Sequence, residues 1–198
     1  MQKNEPKITT AEENAALLSL LGARSIVLVG LMGAGKTTVG RRLAARLDLP
    51  FNDADAEIER AAGKTIPEIF ADYGEEEFRA GEKRVIARIL QSGPQVLATG
   101  GGAFMDAETR AIIGEAGISV WLKADTALLL KRVSRRGGRP LLQQGNPEQI
   151  LNDLIAQRYP VYGLANVTVE SKDVPHQQIV TLIIEALTGH LTEPESRS

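Results

Sequence analysis

The chain has 198 residues, 43% of them hydrophobic and 24% charged, with a net charge of −2. These figures fit one globular domain with a real core and exclude a bulk attraction to nucleic acid or to a membrane surface. With no cysteine, the chain has no disulfide, no thiolate metal site and no cysteine nucleophile. Met1 to Thr10 is polar and lacks a signal-peptide core, and no apolar run reaches the roughly 20 residues that span a bilayer. A cytoplasmic monomer is the expectation, and His176 and His190 read as surface or helix-end residues.

In chain order, Ala11 to Leu21 predicts a short helix with Thr9 or Thr10 as N-cap, its leucines resting on the main body. Ser25 to Val29 reads as a buried strand and leads into Gly30-Leu31-Met32-Gly33-Ala34-Gly35-Lys36-Thr37. Thr38 to Leu47 is the next helix, broken by Pro50, and Phe51 to Asp53 a short strand. Asp55 to Ala62 reads as helix up to Gly63. Thr65-Ile66-Pro67-Glu68 has capping-box spacing; Gly74 interrupts that helix and Glu75 to Leu90 continues it. Val96 to Ala98 is a strand running into Gly100-Gly101-Gly102.

Helices over Asp106–Glu115, Asp125–Arg136, Pro147–Tyr159 and Gln177–Leu187 then alternate with strands over Ile118–Leu122 and Val167–Val169. The tail after Gly189 is polar and reads as mobile. Strand–helix alternation predicts an α/β fold, a parallel sheet with helices on both faces, whose ligands bind beyond the carboxyl ends of the strands.

Three motifs fall at that edge. Gly30 to Thr37 matches G-x-x-x-x-G-K-[ST] with a strand before and a helix after. In such a P-loop the backbone at Gly33, Ala34 and Gly35 and the helix start at Lys36, Thr37 and Thr38 cradle a nucleotide's phosphates. Lys36 reaches the outer phosphates and the Thr37 hydroxyl binds Mg²⁺. GTP-specific patterns are not evident, so a small-molecule kinase is favoured.

Asp53 and Asp55 are two apart, which in an extended chain turns both carboxylates the same way. Asp53 suits Mg²⁺ through water; Asp55 suits a substrate hydroxyl, or merely caps the next helix. The triple glycine permits very close approach by a ligand. Glu77-Phe78-Arg79 with Glu82 reads, by itself, as a surface ion pair. Arg139-Pro140-Leu141-Leu142 offers an arginine to the charge of a transferring phosphoryl group. Arg132, Arg135 and Arg136 read as a solvated helix face, and Arg158 can point back to the site from its helix end.

Taken in order, Gly30–Thr37, Asp53-x-Asp55, Glu77-Phe78-Arg79, Gly100–Gly102, Arg139–Leu142 and Arg158-x-x-x-Tyr162 resemble shikimate kinase from about Ser25 to Leu187. The resemblance implies the three-layer P-loop NTPase fold with a five-stranded parallel sheet, a helical substrate-binding region and a lid at about 134–148. It implies one kinase domain over 25–188, after an N-terminal extension (1–24) and before a tail (189–198). It implies transfer of the ATP γ-phosphate to the 3-hydroxyl of shikimate, in aromatic amino-acid biosynthesis.

By the same resemblance Lys36, Asp55 and Arg139 are catalytic, Thr37 and Asp53 serve Mg²⁺, and Arg139 also meets the nucleotide. Asp55, Arg79, Gly101, Gly102 and Arg158 bind substrate, the two arginines gripping its carboxylate. Ala54 and Gly81 depart from the family pattern, which usually has Thr or Ser and Leu or Ile there. Two other readings compete: a related sugar-acid kinase such as gluconate kinase, and a non-catalytic module that senses shikimate. The latter would be expected to lose one of Lys36, Asp53, Asp55 or Arg139, and all four are present.

Overall fold

The structure, a computed structural model, describes residues 10–134 and 146–192. Five parallel strands form one sheet in the order β2-β3-β1-β4-β5: β1 (Ser25–Val29), β2 (Phe51–Asp53), β3 (Val96–Ala98), β4 (Gly117–Lys123) and β5 (Val167–Glu170). The central strand β1 is buried along its whole length, as a parallel strand covered on both faces must be. The chain leaves β1 for β2 on one side and enters β4 on the other. The reversal places a crevice at the carboxyl end of β1, where the P-loop lies.

The helices are α1 (Ala11–Leu21), α2 (Lys36–Leu47), α3 (Ala54–Ala62), α4 (Ile66–Leu90), α5 (Ala107–Ala116), α6 (Thr126–Ser134), α7 (Pro147–Tyr162) and α8 (His176–Thr192). Thr10 caps α1 in a reciprocal box with Glu13. Leu17 and Leu21 of α1 are fully buried in the main core, against α8 and α2. Thr65 and Glu68 form the same box at α4. Gly74 breaks α4 with φ 79° and ψ 176°, so the predicted interruption is a kink between two helical pieces.

Helices α7 and α8 run well past their expected ends. Helix α7 continues through Pro160 to Tyr162. A proline costs one intrahelical bond, but the buried Tyr162 ring holds the last turn in place, and the Gly163 N–H closes it on the Tyr159 carbonyl at 2.9 Å. Helix α8 reaches Thr192 because Leu191 carries the apolar stripe one more turn onto the core. Most of the lid expected at about 134–148, with its Arg139, falls on residues 135–145, outside the described residues; Ser134 ends α6, and Asn146 and Pro147 open α7.

One main core fills both sides of the sheet. A second, small cluster of Ile58, Ile69 and Phe78 joins α3 to α4. The segment carrying Arg79 therefore rests on its own patch of apolar contacts, beside the sheet rather than on it.

Candidate active site

The turn after β1 needs residues without a Cβ. Gly30 has φ 138°, and a Cβ there would meet the Leu122 carbonyl at 2.8 Å. Gly35, at φ 100°, caps α2, so that helix's free N–H groups open into the turn. Lys36 folds back over it, Nζ donating to the Gly30 carbonyl at 2.7 Å and to that of Leu31 at 3.1 Å. The Thr37 hydroxyl donates to Asp53 Oδ2 at 2.7 Å.

The other Asp53 oxygen accepts the Asp55 N–H at 3.2 Å, so Asp53, and not Asp55, is the N-cap of α3. The two carboxylates do converge, but not by the alternation of an extended chain. The strand ends at Asp53, and the first turn of α3 swings Asp55 round. Both line one hollow of about 100 Å³, with Lys36, Thr37, Thr99 and Gly101.

The triple glycine is explained by side chains of the chain itself. A Cβ on Gly100 would sit 2.7 Å from Asp55 Oδ1 and 2.7 Å from Glu82 Oε1. One on Gly102 would sit 2.5 Å from Arg79 Nη2. None of the three glycines has positive φ, so close approach, not backbone freedom, demands glycine at 100 and 102.

Arg79 Nη1 donates to Glu82 Oε2 at 2.6 Å, and Nη2 to Glu75 at 3.3 Å. Arg158 Nη1 donates to the Gly101 carbonyl at 2.8 Å, and the buried Tyr162 hydroxyl donates to the same oxygen. Two guanidinium groups from distant helices thus approach consecutive residues of one loop, beside the hollow that holds Asp55.

Glu82 is almost wholly buried, and burial pushes its carboxyl above the ordinary carboxylate range, against the pull of Arg79. Arg79 is half-buried, which opposes its charge, yet Glu82 and Glu75 more than offset this and raise its basicity. The surface-pair reading of Arg79 and Glu82 is therefore corrected: the glutamate lies inside the protein.

The solvated-face reading of Arg132 is also corrected. Its Nη1 donates to the Ala34 carbonyl at 3.2 Å and to Ser171 Oγ at 2.9 Å, and its Nη2 to the Lys172 carbonyl at 2.9 Å. Ser171 in turn donates to the Ala34 carbonyl at 3.0 Å. Together they tie the P-loop to the end of β5. Sequence reasoning missed Arg132, Ser171 and Thr99. A basic residue in a last helical turn looks the same whether it is solvated or docked, and a lone Ser or Thr after a strand carries no pattern. The Gly-rich loop beside Thr99 was the one available signal.

The donor set can be tested against a divalent cation. Thr37 and Asp53 present a hydroxyl and a carboxylate 2.7 Å apart at the phosphate cradle. Among the described residues no cluster of three or more Asp, Glu or His could cage a metal alone. A hydroxyl and a carboxylate beside a phosphate cradle suit a divalent cation that keeps part of its water and takes phosphate oxygens.

A family model described as shikimate kinase matches residues 32–188. A curated shikimate kinase from Bradyrhizobium diazoefficiens is 60% identical over 181 residues, covering 91% of this chain and 87% of that protein. One from Mesorhizobium japonicum is 53% identical over 189 residues, covering 96% and 91%. The structure of shikimate kinase from Acinetobacter baumannii in complex with shikimate is 41% identical, with TM-score 0.82, and covers 89% of this chain and 99% of that one. A gluconokinase structure from Sinorhizobium meliloti, 21% identical at TM-score 0.58, shares the fold alone. With a family model over most of its length and relatives above half identity, the chain belongs to the shikimate kinase family.

Proposed function

We propose that this chain transfers the γ-phosphoryl group of ATP to the 3-hydroxyl of shikimate, giving shikimate 3-phosphate and ADP, with Mg²⁺ held at Thr37 and Asp53. One observation carries the substrate reading. Arg79 and Arg158, from α4 and α7, approach Gly102 and Gly101 next to Asp55, at the edge of the P-loop hollow. Two planar guanidinium forks suit one planar carboxylate, and a carboxylate between them and the phosphate cradle suits a hydroxyl on the same small ring.

Each residue then has a definite task. The N–H groups at Gly33, Ala34, Gly35 and the start of α2 (Lys36, Thr37 and Thr38) receive phosphate oxygens. Lys36 leaves the Gly30 and Leu31 carbonyls for the β- and γ-phosphates. Bound Mg²⁺ would neutralise phosphate charge, and Thr37 and Asp53 are the groups that would hold it. Asp55 accepts the hydrogen bond of the attacking hydroxyl and keeps its oxygen directed at phosphorus. Arg79 and Arg158 fix the other end of the ring, with the Gly101 and Gly102 backbone beside it. Arg139, outside the described residues, is assigned by its motif to the charge of the transferring group.

The test is ADP release from ATP and Mg²⁺ with shikimate or gluconate as acceptor. Stimulation by shikimate alone is expected. Stimulation by gluconate alone would move the substrate to a sugar acid, and stimulation by neither would favour a non-catalytic module.

A further inference from the structure

Glu82 is the buried acid that the scheme above leaves without a chemical task. Its side chain is 3% exposed. Oε2 accepts from Arg79 Nη1, but Oε1 has no solvent contact and no hydrogen-bond donor among the described residues. That oxygen is not pointed into apolar packing. It lies over Gly100, and the point 2.7 Å from it that a Cβ would occupy is also 2.7 Å from Asp55 Oδ1.

Two carboxylate oxygens thus approach one point over Gly100, and of the two Glu82 Oε1 is the one shut off from solvent with no donor among the described residues. An ionised carboxylate oxygen there would lose its hydration with no donor in exchange and face a like charge. A protonated one carries its own donor, and Asp55 is the acceptor it faces.

We propose that Glu82 sets the charge of the acceptor site: shikimate binds to the form in which Glu82 is the neutral acid. Among the described residues the charged groups that face Glu82 are Arg79 on its own helix, Asp55 on α3 and Arg158 on α7, and Glu75 pairs with the same Arg79. With Glu82 ionised, two cations meet three anions and the set is net negative. With Glu82 neutral the charges balance, which suits a monoanionic substrate better. The neutral acid still accepts from Arg79, so the guanidinium stays oriented while its charge is released to the ligand. The upward displacement of the Glu82 carboxyl by burial and by Asp55 agrees with this geometry. The inference rests on the carboxylate-binding reading of the site.

Shikimate binding is measured by calorimetry on the whole chain between about pH 5 and 9, in buffers of different ionisation enthalpy. Above the Glu82 ionisation, wild-type protein should take up a proton on binding. Its dissociation constant should rise toward about tenfold per pH unit, the limit for one linked proton.

Glu82→Gln keeps an acceptor for Arg79 and an N–H donor for Asp55, so it imitates the neutral acid at every pH. It should lose the pH dependence and the buffer-dependent heat. A residue that only orients Arg79 would shift affinity equally at all pH values and leave that dependence in place.

Tight binding with no proton uptake by wild type would overturn the inference, and so would an unchanged pH profile in Glu82→Gln. If the variant fails to fold, wild-type calorimetry in two buffers still decides. Absence of any shikimate binding or turnover would instead overturn the substrate reading on which the inference stands.

Discussion

At the phosphate end, consecutive residues supply most of the site. Gly30 to Thr37 turn their backbone inward, and among the described residues Asp53 and the Arg132–Ser171 tie brace them from outside. At the acceptor end, no two neighbours in sequence suffice. Asp55, Arg79, Glu82 and Arg158 come from three helices and meet only over Gly100, Gly101 and Gly102. The first end is carried by main-chain geometry on the central strand. The second depends on side-chain positions, with Arg79 standing on the small Ile58–Ile69–Phe78 cluster. Damage at the phosphate end should therefore abolish chemistry, whereas damage at the acceptor end should weaken one substrate.

Lys36→Ala is the largest expected effect. The lysine reaches the loop carbonyls of Gly30 and Leu31 and lies at the open end of the sheet rather than in the core, so the fold should survive its loss. In the proposed reaction its charge meets the transferring group, where one such contact is worth about 10²–10³-fold or more in kcat. Thermal melting should be nearly unchanged while ADP release with saturating shikimate falls by at least about 10³-fold. Retained turnover would take the lysine out of the transition state.

The acceptor end should answer differently. Arg158→Ala removes the guanidinium that sits on the Gly101 carbonyl, and a charge-assisted hydrogen bond is worth about 1.5–3 kcal/mol. The KM for shikimate should rise about 10–100-fold with the KM for ATP nearly constant. Gly102→Ala sharpens the comparison. Its new methyl would meet the Arg79 guanidinium at 2.5 Å, the far end of a flexible side chain, so Arg79 moves while the backbone stays. Steady-state kinetics should give the same shikimate-only pattern as Arg158→Ala. Equal rises in both KM values would mean that the two ends are not separable.

The same contrast governs how much could be read from the sequence. The P-loop was legible because its chemistry is contiguous and its glycines have fixed offsets. The parallel sheet with helices on both faces followed from strand–helix alternation, whereas the order of its strands came from the fold. At the acceptor end Asp55, the triple glycine and Arg158 drew notice by themselves, but the joint carboxylate role of Arg79 and Arg158 came only through resemblance. Arg79 with Glu82 has the spacing of an ordinary surface pair, and only the fold shows the glutamate buried under Gly100. Asp53 and Asp55 were paired for the wrong geometric reason, since a helix cap rather than strand alternation brings them together. The glycines at 100 and 102 suggested room for a ligand, but they also make room for Asp55, Glu82 and Arg79. Packing of that kind depends on which remote residues arrive, and no local pattern encodes it.

The smallest expected effect tests how firmly the Arg79 helix is held. Gly81 lies in α4 with negative φ, and a Cβ there would meet only Arg84 Nη2, at 3.9 Å. Gly in a helix interior costs about 1 kcal/mol relative to Ala, through the freedom it gives the unfolded chain and the frayed helix. Gly81→Ala should therefore raise the melting temperature by about 2–4 °C, the shift expected for that energy at this size. If the helix is already held by Phe78 on its apolar cluster and by Glu82 under Gly100, kinetics should not change. The KM for shikimate should then stay within about twofold. A lower KM without a change in kcat would mean instead that the free helix spends much of its time with Arg79 out of place. The acceptor end would then be formed by its substrate, unlike the phosphate end, whose cradle the strand and helix hold in advance.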